Sequence, residues 1–256
     1  MKSTIVEVRR RKLAIIIEQR GSIITEEIAK EFGVTTETVR KDLIVLQDRG
    51  LAIKCHGGAI AVSDEITTLS SKEREIVNQD IKQRIAEQAA RFISNNTTIY
   101  LGPGSTVLYV AKILSDFSNL TIFTSSLAAA DVLMGSPHKV FVLGGLVNEK
   151  NRSVCGSFGN DIIDKIAPSV AFMGCSGNEG FPGPTCGQFE EAETLKRTVE
   201  VANRSIVLCD STKFTWPSLI CYAKWNQIDT LITDSGILDE TAKMLEQHTK
   251  VILADK

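Results

Sequence analysis

Small and hydroxyl-bearing residues follow several of the apolar runs that the sequence predicts to be β-strands. The first run, 97–101, is followed by Gly102-Pro103-Gly104-Ser105-Thr106 and then by a predicted helix. Small residues let main-chain N–H groups approach an anion, and a helix N-terminus and two hydroxyls add donors. A later strand end carries Lys213, a point charge for a phosphate, and Asp210, an acceptor for sugar hydroxyls.

Such residues follow five of the predicted strands, at 97–101, 120–124, 139–143, 169–173 and 205–209. Together these strand ends are better explained by a phosphorylated ligand than by chance, although each one alone is an ordinary strand-to-helix turn. The first loop is not a dinucleotide fingerprint, because position 107 is Val, and it lacks the Gly-Lys-Ser/Thr of a Walker loop. Arg152 is either a further anion contact or an exposed loop residue. The residues predicted to bind the ligand are Gly102, Gly104, Ser105, Thr106, Thr124, Ser125, Ser126, Gly144, Gly145, Arg152, Asp210 and Lys213.

A second group of polar residues lies in a helical pattern near the N-terminus. The segment 36–49 has apolar residues at i, i+4 and i+7 from Val39, which is typical of a helix packed on one side. Its first turns carry Arg40 and Lys41 beside several threonines. Arginine and lysine read guanine in the major groove, and hydroxyls near a helix N-terminus bind phosphate.

Two further helices are predicted before this one, at 5–20 and 26–32. Thr25 and Thr35 stand where helix caps are expected, and Gly33 suits the left-handed turn between the last two helices. Two helices joined by a short turn that contains glycine form a helix-turn-helix, whose second helix contacts DNA. The alternative is an ordinary helical hairpin with a solvated polar face.

The residues after these helices predict a β-hairpin, or wing. Two short strand-like runs within 51–62 flank Gly57-Gly58, and Lys54 and His56 would lie near the tip, where they suit a phosphate backbone. Together with the helix, the wing predicts a DNA-binding surface. The residues predicted to contact DNA are Thr25, Thr35, Thr36, Thr38, Arg40, Lys41, Lys54 and His56.

Charge is distributed unevenly along the 256 residues. The whole chain has 29 basic and 31 acidic residues, but residues 1–56 carry a net charge of +3 and the remainder −5. This difference favours two domains with different partners. The six cysteines form no CxxC pair and no apolar run is long enough for a membrane span, so we expect a cytoplasmic protein without a metal site, without a cofactor and without a membrane partner.

The rest of the chain predicts an α/β domain after a polar linker at 63–71 and a helix at 72–92. Alternating strands and helices indicate a mostly parallel sheet covered by helices, which binds ligands at the carboxyl ends of its strands. Strands are predicted at 97–101, 120–124, 139–143, 169–173, 205–209, 229–233 and 250–254. Helices are predicted at 105–115, 126–134, 158–166, 190–204 and 239–247.

The run TVRKDLIVLQDRGLAIKCHGGAIAV resembles the DeoR (DeoR/GlpR) family of bacterial transcriptional regulators, whose pattern is TIRRDL, a leucine, a glycine and then HGGA. The resemblance continues through nearly the whole chain. The positions that match or conservatively replace the pattern are Thr38, Arg40, Lys41, Asp42, Leu43, Leu46, Gly50, His56, Gly57, Gly58 and Ala59.

The resemblance implies an N-terminal winged helix-turn-helix and a C-terminal α/β domain related to ribose-5-phosphate isomerase and CoA transferase-like folds. It also implies a phosphorylated sugar or polyol as effector, with the loop at Gly104 as its phosphate loop. Gly102 replaces a frequent Asp and Ser125 a frequent Asn. Both departures would remove ligand contacts, which leaves open whether the effector is one of the common ones.

We therefore expect a DNA-binding regulator, a repressor by the family's usual mode, with no catalytic residues. Its expected partners are double-stranded operator DNA, a phosphorylated effector and a second copy of itself in a dimer or tetramer. The domains would be 1–62 for DNA, 63–71 as linker and 72–256 for effector binding and oligomerisation. The alternatives are a sugar-phosphate isomerase with an accessory domain and a metabolite sensor whose head binds protein.

Overall fold

The computed structural model describes residues 2–20, 22–48, 51–55, 57–61, 70–216 and 218–255. The chain divides into two compact units, Met1–Asn78 and Gln79–Lys256. His56 and most of the predicted linker at 63–71 lie outside the described residues. Among the residues that are described, no helix combines the length and the apolar character that a membrane span requires.

A winged helix-turn-helix makes up most of the first unit. Its elements are α1 (Lys2–Arg20), β1 (Ser22–Ile24), α2 (Thr25–Phe32), α3 (Thr36–Asp48), β2 (Ala52–Cys55) and β3 (Gly58–Ala61). The strands form an antiparallel sheet in the order β1-β3-β2, in which β2 and β3 are the predicted hairpin. The sequence did not indicate β1, because a three-residue strand is too short to show an alternating pattern.

The helices of this unit pack through the predicted apolar stripe. Leu13 and Ile17 of α1 are fully buried with Val39, Leu43 and Leu46 of α3. Gly33 has φ 62°, so it adopts the left-handed conformation that the turn requires, and the next amide donates to the carbonyl of Ala29. The predicted turn between α2 and α3 is confirmed.

The predicted cap at Thr25 is wrong. Helix α2 begins at Thr25 itself, and the residue before it, Ile24, makes no side-chain cap. The amide of Thr25 donates instead to the carbonyl of Gly57 at 2.7 Å, since β1 pairs with β3 and draws this main chain into the sheet. The Thr25 side chain is buried, so its hydroxyl does not face solvent.

The single helix predicted at 72–92 is also wrong. The chain forms α4 (Ser71–Ile76) and α5 (Gln79–Ala90). Val77 is extended and Asn78 has φ 55°, so two residues leave the helical conformation. Asparagine adopts this left-handed conformation at low cost, which explains why the break occurs there.

A seven-stranded parallel sheet forms the centre of the second unit. Its strands are β4 (Thr98–Leu101), β5 (Thr121–Thr124), β6 (Lys139–Val142), β9 (Val170–Gly174), β11 (Ser205–Leu208), β13 (Thr230–Thr233) and β14 (Lys250–Leu253). Their order is β14-β13-β11-β9-β4-β5-β6, and every pair is parallel. All seven strands lie within one residue of their predicted bounds.

Helices cover both faces of this sheet, which confirms the predicted α/β architecture. The helices are α5, α6 (Ser105–Lys112), α7 (Leu127–Leu133), α8 (Ser157–Ile163), α9 (Phe189–Val201) and α10 (Asp239–Glu246). Helices α5, α6 and α7 bury one face and helices α8, α9 and α10 the other. Two small sheets were not predicted; they pair β7 (Leu146–Asn148) with β8 (Ser153–Cys155), and β10 (Thr185–Cys186) with β12 (Ile220–Cys221).

Candidate functional site

The first turns of α3 form an exposed polar surface. Thr35 caps the helix, since its hydroxyl oxygen accepts from the amide of Thr38 at 3.2 Å. Arg40 and Lys41 are exposed and lie 3.7 and 3.9 Å from the carboxylate of Glu37. Such surface pairs contribute little and exchange readily with another anion. These two cations are therefore available to phosphate or to base edges.

A buried carboxylate holds α3 against α1. Asp42 is 2 % exposed, and its two oxygens accept from Arg9 Nε at 2.6 Å and Arg10 Nε at 2.9 Å. The hydrogen bond that Arg9 donates raises the pKa of Arg9 above its ordinary value. Each carboxylate oxygen thus has its own guanidinium, which fixes the rotation of α3 about its axis relative to α1.

The wing is joined to α3 through its main chain. The amide of Lys54 donates to Gln47 Oε1 at 2.9 Å, and the Lys54 side chain is half-buried. The structure therefore keeps Thr35, Thr36, Thr38, Arg40, Lys41 and Lys54 in the same small unit. It does not bring the buried Thr25 to the surface, and His56 lies outside the described residues.

In the second unit, the predicted ligand residues other than Arg152 lie at the ends of four strands, β4, β5, β6 and β11, and strand β9 lies between β11 and β4. Strands β11, β9, β4, β5 and β6 are consecutive in the sheet, so their carboxyl ends meet at one edge. The loops after β4 and β9 touch there, because a Cβ placed on Gly174 would lie 3.2 Å from the carbonyl of Pro103. Gly104 has φ 130° and precedes α6, whose first residues are Ser105 and Thr106. The loop that the sequence predicts to bind an anion therefore leads into a helix N-terminus at this edge.

Gly102 has a packing role beside this loop. Its amide donates to the carbonyl of Phe172 at 2.9 Å, and a Cβ would lie 3.2 Å from the same oxygen. That spacing is tighter than an ordinary van der Waals contact, so a larger residue would need the neighbouring strand to shift. Gly102 contributes close packing of β4 on β9, with no side chain for a ligand.

The hydroxyls at the end of β5 are engaged within the fold. Thr124 donates to the carbonyl of Leu101 at 2.7 Å and accepts from the amide of Ser126 at 3.0 Å. Ser126 caps α7, and Ser125 lies 2.9 Å from the Tyr100 hydroxyl. Burial raises the pKa of Tyr100 to about 12, so this hydrogen-bonded pair stays neutral. The three side chains hold the loop in shape.

Asp210 and Lys213 lie together after β11 with a lysine that the sequence did not single out. Asp210 is 2 % exposed and accepts from the amide of Thr212 at 3.2 Å. Burial raises the pKa of Asp210, but the charges of Lys213 and Lys82 and the hydrogen bonds from Thr212 together outweigh it, so the pKa ends below its ordinary value. Lys82 is 3 % exposed, on α5. Its position within a charged helical pattern gave no sign of burial.

Gly145 and Arg152 shape the β7–β8 hairpin, and Gly144 lies just before it. Gly145 has φ 144°, and a Cβ there would overlap the carbonyl of Cys155, so only glycine fits. Arg152 has φ 48° and its guanidinium lies 3.6 Å from Asp131. Its carbonyl accepts from the amide of Leu127 at 2.8 Å. These residues have clear structural roles, and the Arg152 cation is already opposite a carboxylate.

Family comparisons agree with this architecture. Residues 9–65 match the model of the DeoR-like helix-turn-helix domain, and residues 77–235 match the DeoR C terminal sensor domain. The chain belongs to the DeoR family. The predicted family is therefore confirmed, and its members' names favour a transcriptional regulator over an isomerase.

Three curated relatives align over nearly their whole length. An uncharacterized HTH-type transcriptional regulator, YulB of Bacillus subtilis, is 31% identical, over 98% of this chain and 97% of the relative. The HTH-type transcriptional regulator GolR of Listeria innocua is 33% identical, over 90% and 91%. The glycerol-3-phosphate regulon repressor of Escherichia coli is 26% identical, over 91% and 92%. Each of the three is named as a regulator or repressor.

Solved structures show a weaker likeness. Ribose 5-phosphate isomerase A from Methanocaldococcus jannaschii is 20% identical with a TM-score of 0.39, and the alignment covers 54% of this chain and 55% of that chain.

Among the described residues, no group of three or more histidine, cysteine, aspartate or glutamate side chains could hold a metal ion.

Proposed function

We propose that this chain is a repressor of a sugar or polyol metabolism operon, controlled by a phosphorylated metabolite, and that it acts in the cytoplasm. Residues 1–62 bind double-stranded operator DNA, residues 63–71 link the domains, and residues 72–256 bind the effector and mediate self-association. The observation that carries the proposal is the exposed Arg40–Lys41 pair on the second helix of a helix-turn-helix. That is where this motif contacts the major groove.

The strand-end edge supports an anionic effector. The charges of Lys82 and Lys213 both lower the pKa of the buried Asp210, which indicates two cations near this carboxylate. The N-terminus of α6, with Ser105 and Thr106, supplies donors at the same edge. A name among the relatives, that of the glycerol-3-phosphate regulon repressor, supports a sugar or polyol phosphate.

An isomerase is the less favoured alternative. Proton abstraction from a sugar phosphate requires a carboxylate whose pKa lies near the working pH. The pKa of Asp210 is lowered instead, and its carboxylate is bonded to Thr212. Both observations favour binding without turnover at this edge.

We expect the full chain to bind a fragment of its own promoter, with an affinity that falls about 10³-fold between 50 and 200 mM salt, because each phosphate contact releases a counterion. Electrophoretic mobility shift or fluorescence anisotropy measures this. Absence of binding at 50 mM salt would instead favour a head that binds protein. Turnover of a pentose or hexose phosphate would favour the isomerase.

Replacing Lys213 by alanine should weaken effector binding about 10-fold or more and leave operator affinity unchanged, since the side chain lies in the second unit beside Asp210. Thermal stabilisation of the full chain by pentose, hexose and polyol phosphates measures the loss, because a ligand that binds only the folded state raises its stability. Lys243→Ala, an exposed lysine of α10, is the matched control. Loss of operator binding together with effector binding would assign Lys213 a folding role.

A further inference from the structure

One surface of the second unit exposes an unusual number of large apolar side chains. They include three phenylalanines, of which Phe158 is 75 % exposed, and they lie on β6, β7, α8, α9 and the segment before β12. We call this set the apolar surface. Its members are Phe141, Leu146, Val147, Phe158, Phe189 and Leu219.

Four members of the apolar surface lie together. Leu146, Val147, Phe189 and Leu219 line one cavity of about 420 Å³. Phe158 lies beside the glycines that precede β7, because a Cβ on Gly144 would lie 3.9 Å from Phe158 Cβ. Phe141 extends the surface onto strand β6, where it stacks on Phe123 with ring centroids 4.9 Å apart.

The size of this surface is that of a stable interface between proteins. The six residues are between 49 % and 75 % exposed, so together they present an area of the same order as the roughly 800 Å² that one partner contributes to a standard interface. The largest apolar patch on a typical monomer is roughly 300–600 Å². Strand β6 adds an open edge, since among the described strands it pairs with β5 alone.

Neither of the other proposed partners fits this surface. DNA requires cations, whereas the charged residues that line the cavity are the acidic Glu149 and Glu190. A phosphorylated sugar requires donors and charge, which lie instead around Lys213 and the N-terminus of α6. A second copy of the chain fits, because it offers the same apolar surface and the same open edge to a two-fold contact.

We propose that the apolar surface is the site at which two copies of this chain associate. The proposal rests on the proposed function in one respect, since a regulator that binds a two-fold symmetric operator needs a symmetric dimer. In the dimer, Phe158 and Phe189 of each copy are buried against the partner, with charged residues at the rim, as in other protein interfaces.

Sedimentation equilibrium of the purified full chain tests the proposal without DNA or effector. The natural chain should be a dimer or larger at about 10 µM. The double variant Phe158→Glu with Phe189→Glu should have at most half the molecular mass of the natural assembly. Its dissociation constant for self-association should be at least about 100-fold higher. Met244→Glu is the matched control, because this apolar residue is also exposed but lies on α10, which packs at β14, the opposite edge of the sheet. The control should keep the mass of the natural chain.

Two results would overturn the proposal: a monomeric natural chain, and an unchanged mass for the double variant. If the double variant keeps its mass and also loses thermal stabilisation by sugar phosphates, the surface belongs to the effector site instead. Far-UV circular dichroism shows whether the double variant is folded; if it is not, the single variant Leu219→Glu takes its place. Operator binding by the natural chain is measured separately, so failure of this interface leaves the proposed function standing.

Discussion

Replacing Asp42 by alanine is expected to destabilise the helix-turn-helix by about 3 kcal/mol, because it leaves two arginines without their buried carboxylate. Arg9 and Arg10 have side chains that are only about one-fifth exposed, so water replaces the missing hydrogen bonds incompletely. A unit of this size buries little apolar surface and has little stability to lose. Operator binding should fall with it, since α3 loses its attachment to α1.

The chain allows this loss to be assigned to one unit. Both tryptophans, Trp216 and Trp225, lie in the second unit, so their fluorescence reports unfolding there. Far-UV circular dichroism also detects the helices of the first unit. In Asp42→Ala the midpoint of urea unfolding by circular dichroism should fall, while the fluorescence midpoint stays unchanged.

Two variants serve as controls for Asp42. Glu37→Ala removes an exposed carboxylate from the same helix and should change the free energy of unfolding by less than about 0.5 kcal/mol. Asp42→Asn keeps the shape but only one acceptor oxygen, so its stability should lie between those of Asp42→Ala and the natural chain. Equal effects of Glu37→Ala and Asp42→Ala would show that the buried position has no special role.

The role of Asp42 was available from the sequence but was not predicted. Buried positions 39, 42, 43 and 46 follow the spacing i, i+3, i+4, i+7, so a helical projection places Asp42 in the apolar stripe. A carboxylate in such a stripe requires a cationic partner, and the run Arg9-Arg10-Arg11-Lys12 offers several. Which arginines it takes depends on how α1 packs on α3, and local sequence does not contain that information.

The strands of the second unit were predictable because each is a short apolar run between turn residues. Their order was not, since β9 inserts between β4 and β11 through contacts far apart in sequence. The same limit applies to the site. Loop residues at strand ends were found by type, but Thr124, Ser125 and Ser126 make hydrogen bonds within the fold, which residue type alone does not show. Lys82 was missed because its burial is a consequence of tertiary packing.

The double variant Arg40→Ala with Lys41→Ala is expected to lower operator affinity by at least about 100-fold. A side chain that reads a base contributes about 1–3 kcal/mol, and a lysine that neutralises a phosphate contributes sequence-independent affinity. The slope of log affinity against log salt should become less negative by about 1 for each phosphate that the variant no longer neutralises. Fluorescence anisotropy with the promoter fragment at several salt concentrations measures both quantities. Folding should be unaffected, because both side chains are exposed and pair only loosely with Glu37.

The sequence supplies a closely matched control for this variant. Arg11 and Lys12 are also an adjacent arginine–lysine pair, also exposed and also in the first unit, but on α1. Arg11→Ala with Lys12→Ala removes the same charge, so it reproduces any general electrostatic loss without touching α3. If affinity depends on net charge alone, the two double variants will weaken binding equally, and α3 is not the recognition helix. A large loss confined to Arg40 and Lys41 requires that these two side chains meet DNA directly.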